Sequence, residues 1–209
     1  RLMWKGQHWD VDGFWLRPMK RGVDGLDAPD LDAQLYGLFS TYKGLCSARL
    51  DLYWLAYDAY NVPRSAFPGQ PFRYDTLGIR INGSRNQWLY DFEGAVQFGT
   101  NGDDTDHAAG AVTIGGGRKL GCHAWEPTLW LYYDWASGDD TVQNGFHHYE
   151  PLAHKYLGFM DFFGRRNLQD INLLFTIEPQ KKLKLLMWYH YFRLANGNDV
   201  PYTVVMSPY

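Results

Sequence analysis

No run of about 18 apolar residues occurs anywhere in the 209-residue chain, so none of its segments can cross a membrane as a helix. An excess of one charge is also missing. Twenty basic against 23 acidic residues leave a net charge of −3, which offers no footprint for a nucleic-acid partner. The two cysteines, Cys46 and Cys122, are too few for a disulfide framework and read as unpaired thiols in turns. The chain starts at Arg1 with neither methionine nor signal peptide, and is expected to be processed or part of a longer protein.

Catalytic and metal-binding motifs are incomplete. Ser137 in "ASGD" lacks the glycine-flanked elbow of a hydrolase. In "TIGGGRKLG", Lys119 is followed by Leu120 and a further strand, not by Ser or Thr and a helix, so the glycines read as a turn. Asp91 and Glu93 share a strand face, as a glycosidase pair could, but are more simply lumen- or solvent-facing residues. His147 and His148 are adjacent and point apart in extended backbone. With His154 they read as solvated loop histidines rather than a chelate. "NGDDTD" offers Asp103, Asp104 and Asp106 but lacks the later glycine and closing glutamate of a calcium loop, and reads as an acidic exposed turn. Neither an enzyme nor a bound cofactor is expected.

Aromatic residues make up 17% of the chain and glycines number 22, a pairing that favours strands and turns. Strand-like segments alternate. Leu50, Leu52, Trp54 and Ala56 oppose Arg49, Asp51, Tyr53, Leu55 and Tyr57. Phe92, Val96 and Phe98 oppose Asp91, Glu93 and Gln97. Leu129, Leu131, Tyr133 and Trp135 oppose Thr128, Trp130, Tyr132 and Asp134. Ile171, Leu173 and Phe175 oppose Asp170, Asn172 and Leu174. In "LKLLMWYHYFRL" (183–194), Leu183, Leu185, Met187, Tyr189 and Tyr191 form an apolar face, and Lys184 and His190 lie on the other. Helical spacing also fits Leu183, Leu186, Met187 and His190, but the aromatic content and the turn "EPQKK" before it favour a strand.

Strands are expected at 9–19, 31–42, 47–57, 72–83, 87–99, 106–116, 122–136, 168–178 and 183–195, with 1–4 ending an earlier strand and 201–209 belonging to a later one. Short links at 5–8, 43–46, 84–86, 117–121 and 179–182 alternate with longer ones at 20–30, 58–71, 100–105 and 137–167. Such sorting suits a transmembrane β-barrel, with short periplasmic turns and long extracellular loops. The apolar stripes would then face lipid, and Trp88, Trp125 and Trp135 near strand ends would suit interfacial girdles. A soluble β-sandwich that binds or cleaves polysaccharide also alternates, but covers the Leu50–Leu52–Trp54 stripe with a second sheet. A barrel retained as a scaffold in an envelope assembly is a third reading.

"HKYLGFMDFFGRRNLQDINL" (154–173) resembles the alginate export family of bacterial outer-membrane β-barrels. So do "VDGFWLRPM" (11–19), "LDLYWLAYD" (50–58), "YDTLGIRINGSRNQWLYDFEGAVQFG" (74–99), "DWASGDD" (134–140) and "LKLLMWYHYF" (183–192), in the family's order. The resemblance implies one antiparallel transmembrane barrel domain over 1–209, or a partial barrel of roughly nine to eleven strands from a larger one; nine or ten strands closing a small barrel would depart from the family. It implies an outer-membrane location, the lipid bilayer as partner, and an acidic polysaccharide or other small anionic solutes as cargo.

In the family's alginate pore, positive side chains line the constriction. Here Arg49, Arg80 and Lys184 would face inward, with Arg17 a further candidate. Asp51, Asp91, Glu93 and Asp134 would do the same. That near balance departs from a strongly cationic pore and equally suits a salt-bridge network that stiffens the wall. The functional expectation centres on 137–167. Its Phe146, Tyr149, Leu152, Tyr156, Leu157, Phe159, Met160, Phe162 and Phe163 are too apolar to be left in water. The segment should fold against the barrel and constrict it, bringing Lys155, Arg165 and Arg166 to an anionic solute. Alternatively it is a cap whose basic residues pair with Asp139, Asp140, Glu150 or Asp161.

Overall fold

The computed structural model describes all residues except 21–24, 61–70, 122–124, 142–143 and 150–152. Its strands are β1 (Leu2–Lys5), β2 (Trp9–Leu16), β3 (Met19–Lys20), β4 (Ala28–Pro29), β5 (Ala33–Tyr42), β6 (Ala48–Ala59), β7 (Phe72–Arg85), β8 (Trp88–Thr100), β9 (Asp106–Lys119), β10 (Thr128–Ala136), β11 (Leu168–Gln180) and β12 (Leu183–Arg193). Ten form one sheet in the order β1-β2-β5-β6-β7-β8-β9-β10-β11-β12, while β3 and β4 make a separate small hairpin. Every neighbouring pair in the large sheet is antiparallel. Among the described residues there is no α-helix, and the one helical turn, Ala153–Lys155, is a 3-10 turn.

Because each strand pairs antiparallel with the next, the connections fall alternately at two ends. The turns 6–8, 43–47, 86–87, 120–127 and 181–182 share one end. The connections 17–32, 60–71, 101–105 and 137–167 share the other. Backbone hydrogen bonds between neighbouring turns confirm the short end: Lys43 N donates to His8 O, Ser84 N to Ser47 O, and Lys119 N to Gln87 O. Between β7 and β8, Asn86 and Gln87 both have positive φ (49° and 70°), as the tightest two-residue hairpin with a matched twist requires.

Registers fix two faces. On the outer face Leu52 pairs with Ile79, Leu77 with Val96, Phe92 with Ile114, Leu131 with Leu173, and Phe175 with Met187. These apolar side chains are open: Val96 is 58% exposed and Met187 64%. The inner face is the reverse, with Asp51, Thr76, Gln97, Thr113, Asp134, Asp170 and Asn172 buried. Buried polar and exposed apolar side chains are what a lipid-facing wall demands, because hydrocarbon takes the place of a core. Aromatic residues border the outer stripe. Trp4, Trp9 and Trp88 lie towards the short-turn end, and Trp15, Trp135 and Tyr191 towards the other. From β5 to β12 the strands are 9 to 14 residues long, enough to cross when tilted. A sandwich is not formed, since among the described residues the only second sheet is the β3–β4 hairpin.

Three expectations are corrected. Residues 201–209 do not add a strand to the sheet. They form a turn held by Thr203 N to Ser207 O and a lone bridge between Tyr202 and Pro208. Pro201 and Pro208 lack ladder donors, and Met206 has φ of 62°. The stretch read as a strand from 9 to 19 stops at Leu16. Arg17 does not turn inward but lies against outer-face Trp15, 5.3 Å from its ring. The Cys46 thiol is free and exposed, whereas Cys122 lies outside the described residues.

Candidate functional site

The segment 137–167 leaves β10, folds over the inner face, and returns into β11. Its entry and exit are tied together: Phe146 N and Asn167 N both donate to Ser137 O. Asn167, fully buried with φ of 49°, gives its amide to Asn196 O and Val200 O at 3.1 Å each. Asparagine tolerates this left-handed backbone better than most residues.

Three sockets on the sheet receive the loop. Phe146 fills a hollow made by small side chains, Ala95, Ala109, Ala111 and Ala136. His147 and Tyr149 pack on Tyr57, at 5.8 and 5.0 Å between ring centroids. Beneath them Gln97, 2% exposed, meets both residues. Its amide NH2 reaches Thr76 Oγ1 (2.9 Å), Tyr149 OH (3.0 Å) and His147 O (3.1 Å), and its carbonyl accepts from His147 N (2.8 Å). Further round the sheet, Phe159 meets Trp188 at 6.0 Å, and Phe163 meets Phe192 at 4.8 Å. The C-terminal residues brace this side, with Tyr209 OH donating to Phe162 O. So His147 and His148 are packed into the protein, not solvated as the sequence suggested: an aromatic and amide socket replaces water around His147, and Nδ1 of His148 is buried. His154 alone is exposed, 3.5 Å from Asp161.

Arg166 is 3% exposed and acts within the loop. It donates to Phe146 O (2.9 Å) and His147 Nδ1 (2.6 Å) and lies 5.1 Å from the Tyr202 ring. A guanidinium can only donate, so Nδ1 of His147 is an acceptor and its ring is neutral. Burial, with the Arg166 charge adding to it, pushes the pKa of His147 well below its usual value, and burial takes that of His148 down to about 3. The undocked loop would titrate near 6.5. The folded values are the depressed ones, so docking is at full strength above pH 6.5. It weakens by about 1.4 kcal/mol per histidine for each pH unit below that. Hydrogen exchange of residues 144–166, corrected for intrinsic rates, should therefore lose protection between pH 7.5 and 5.5. Gln at both positions should flatten the change; an equal loss in that variant would remove the histidines from the explanation.

The loop brings Lys155, Tyr156 and Arg165 onto the wall opposite Arg80, Asp91 and Asp134, enclosing a cleft of about 200 Å³. Arg80 on β7 and Trp188 on β12 both line it. In a flat sheet those strands would be about 24 Å apart, so the wall curls inward around the loop. Arg165 donates to Asp134 Oδ1 at 2.6 Å, where Thr113 also donates at 2.5 Å. Arg80 grips Asp91 through two hydrogen bonds of 3.0 and 2.8 Å, and Tyr53 donates to Glu93 at 2.8 Å. Arg165 Nε is buried without a hydrogen-bond partner, and Lys155 Nζ, 5.0 Å from the Tyr156 ring, has no carboxylate within 4.0 Å among the described residues.

Arg49 and Lys184 stand apart from this cleft, on the inner face towards the short-turn end. Arg49 Nε contacts Asp51 at 2.9 Å, and Lys184 contacts Glu178 at 3.6 Å. Arg166 is sequestered as described. Lys155, Arg165 and Arg166 do not ion-pair with the loop's own acids among the described residues: Asp139 accepts from Asn144, Asp140 from Asn196 and Asn198, and Asp161 lies beside His154. Leu152 and Glu150 lie outside the described residues. Sequence reasoning passed over Gln97, Asn167 and the chain Asp170–Asn172–Trp188, in which Asn172 donates to Asp170 at 2.9 Å and accepts from Trp188 at 2.9 Å. Their polar or aromatic character at inward strand positions was the available signal. Among the described residues no three metal-ligating side chains converge.

No curated protein matches the chain. The family model described as alginate export matches residues 1–208, and that family is one of outer-membrane transport proteins rather than enzymes. With apolar side chains turned outward, polar ones inward, and the match running through nearly every residue, the chain belongs to the alginate export family.

Proposed function

We propose that this chain forms the wall and constriction of an outer-membrane channel for an acidic polysaccharide or other small anionic solutes. The observation that carries the reading is the inward fold of 137–167, which sets Lys155 and Arg165 beside Arg80 in one cleft. A carboxylate entering there meets donors already oriented by Asp134 and Asp91, so little side-chain entropy is lost in binding it. Resident carboxylates also keep the site from holding an anion too tightly, and conduction needs weak, repeated binding. Arg49 and Lys184 continue the cationic path towards the short-turn, periplasmic end.

The chain acts as one domain. A barrel in hydrocarbon leaves no strand edge open, so the edges of β1 and β12 must be covered for the sheet to close.

Lys155→Glu tests the anion path with little structural risk, because Lys155 is exposed and without an ion-pair partner among the described residues. In planar bilayers under a salt gradient, the reversal potential of the full-length protein should show anion preference, and the substitution should lower or invert it at nearly constant conductance. An unchanged reversal potential would refute the path.

A further inference from the structure

The inner face carries a second feature that the cationic path leaves unexplained. Trp130 and Tyr132 occupy successive inward positions of β10. Their rings are nearly parallel, 16° apart with centroids at 5.1 Å. Each leans across a glycine of β9 instead of standing off the sheet. A Cβ on Gly117 would come within 2.5 Å of Trp130 Cδ2, and one on Gly115 within 2.2 Å of Tyr132 Cε1. On the same face Tyr53 lies over Gly78, where a Cβ would meet its ring at 2.0 Å. Side chains on a sheet usually rise roughly perpendicular to it. Over the glycines the two rings overlap in an offset stack along the wall, and both stay half-exposed.

These two rings join three neighbouring clefts that hold inner-face cations. Tyr132 lines the cleft of Arg80 and Lys155, and also a neighbouring one of about 540 Å³ with Arg49. Trp130 lines the latter and a third, of about 630 Å³, that contains Lys184. A ligand moving past the cations therefore moves over the rings.

We propose that Trp130 and Tyr132 form a sugar-stacking platform, so that the channel recognises its cargo as an acidic saccharide and not merely as an anion. The inference rests on the cationic path for the carboxylate half of that recognition. A pyranose ring presents a face of axial C–H bonds that is apolar and slightly positive at its hydrogens. That face matches the negative π-face of an indole or phenol ring. A uronate adds a carboxylate at the rim of the same ring, within reach of a guanidinium or ammonium beside the platform. Polyanions without rings would use the cations and gain nothing from Trp130.

Current-blocking dwell times in the full-length protein separate these contributions. The probes are a hexameric oligouronate and an oligoglutamate of equal charge. Trp130→Ala should shorten the oligouronate dwell about tenfold, the size of one lost stacking contact. It should leave the oligoglutamate dwell and the reversal potential unchanged, and Trp130→Tyr should restore most of the loss. Heat-modifiable migration on gels checks that each barrel is folded. If Trp130→Ala fails to fold, the same pair of dwells is read in Trp130→Leu, with the same expectation. Equal shortening for both probes, or no change for the oligouronate, would overturn the platform. Failure of the cationic path is distinguishable: Lys155→Glu would leave the reversal potential unmoved while the Trp130-dependent dwell persisted.

Discussion

Met187→Arg should cost about 2–4 kcal/mol of folding stability in a bilayer, while Leu186→Arg, one residue away, should cost less than about 1 kcal/mol. Composition and hydropathy do not distinguish these two positions, and both side chains are open, 64% and 44% exposed. The difference comes from the face each occupies. Met187 pairs with Phe175 on the outer face, near the middle of β12, and would place a guanidinium against hydrocarbon. Leu186 pairs with inward Thr176, where water and neighbouring polar groups can solvate the charge. Urea titrations of folding into lipid vesicles measure both. Similar penalties would mean that the outer face does not meet lipid. Tyr53 is a poor inward control for such a comparison, because its ring covers Gly78 and its hydroxyl holds Glu93.

The faces were legible in the sequence because strand geometry imposes a period of two, and lipid allows few exceptions to it. "LKLLMWYHYFRL" carries the pattern clearly enough to reject a helix, and β12 spans Leu183–Arg193. The sorting of links into short and long was also visible, since glycine, proline and lysine mark the turns. Tertiary placement was less accessible. Residues 201–209 have strand-like composition, yet two prolines and a buried Tyr202 make them a brace for the loop. The pair His147–His148 looked solvated because loops usually are. Nothing local to "FHHY" reveals that Gln97, fifty residues earlier, hydrogen-bonds its backbone. Arg165 and Arg166 are adjacent and chemically identical, but one donates to Asp134 on the wall and the other to Phe146 and His147 inside the loop. That split depends on the backbone turn into Asn167, which no pairwise spacing in the sequence encodes.

The loop on the inner face narrows the lumen, and its removal should have a large effect on conductance. Residues 141–163 hold Phe146, His147, Tyr149, Tyr156 and Phe159, the side chains that occupy the inner face. Joining Asp140 to Gly164 keeps Ser137, Arg165 and Asn167, so the ends of β10 and β11 retain Asn167 N to Ser137 O. It also removes the apolar plug, leaving wall residues such as Gln97 and Thr76 facing water, which they can accept as hydrogen-bonding groups. Single-channel conductance of the full-length protein, with and without this excision, tests the arrangement most directly. The open barrel should conduct several-fold more than the intact one, because a pore's resistance is set where it is narrowest. A folded excision variant whose conductance equals that of the intact protein would show that 137–167 does not constrict the lumen and is an external cap.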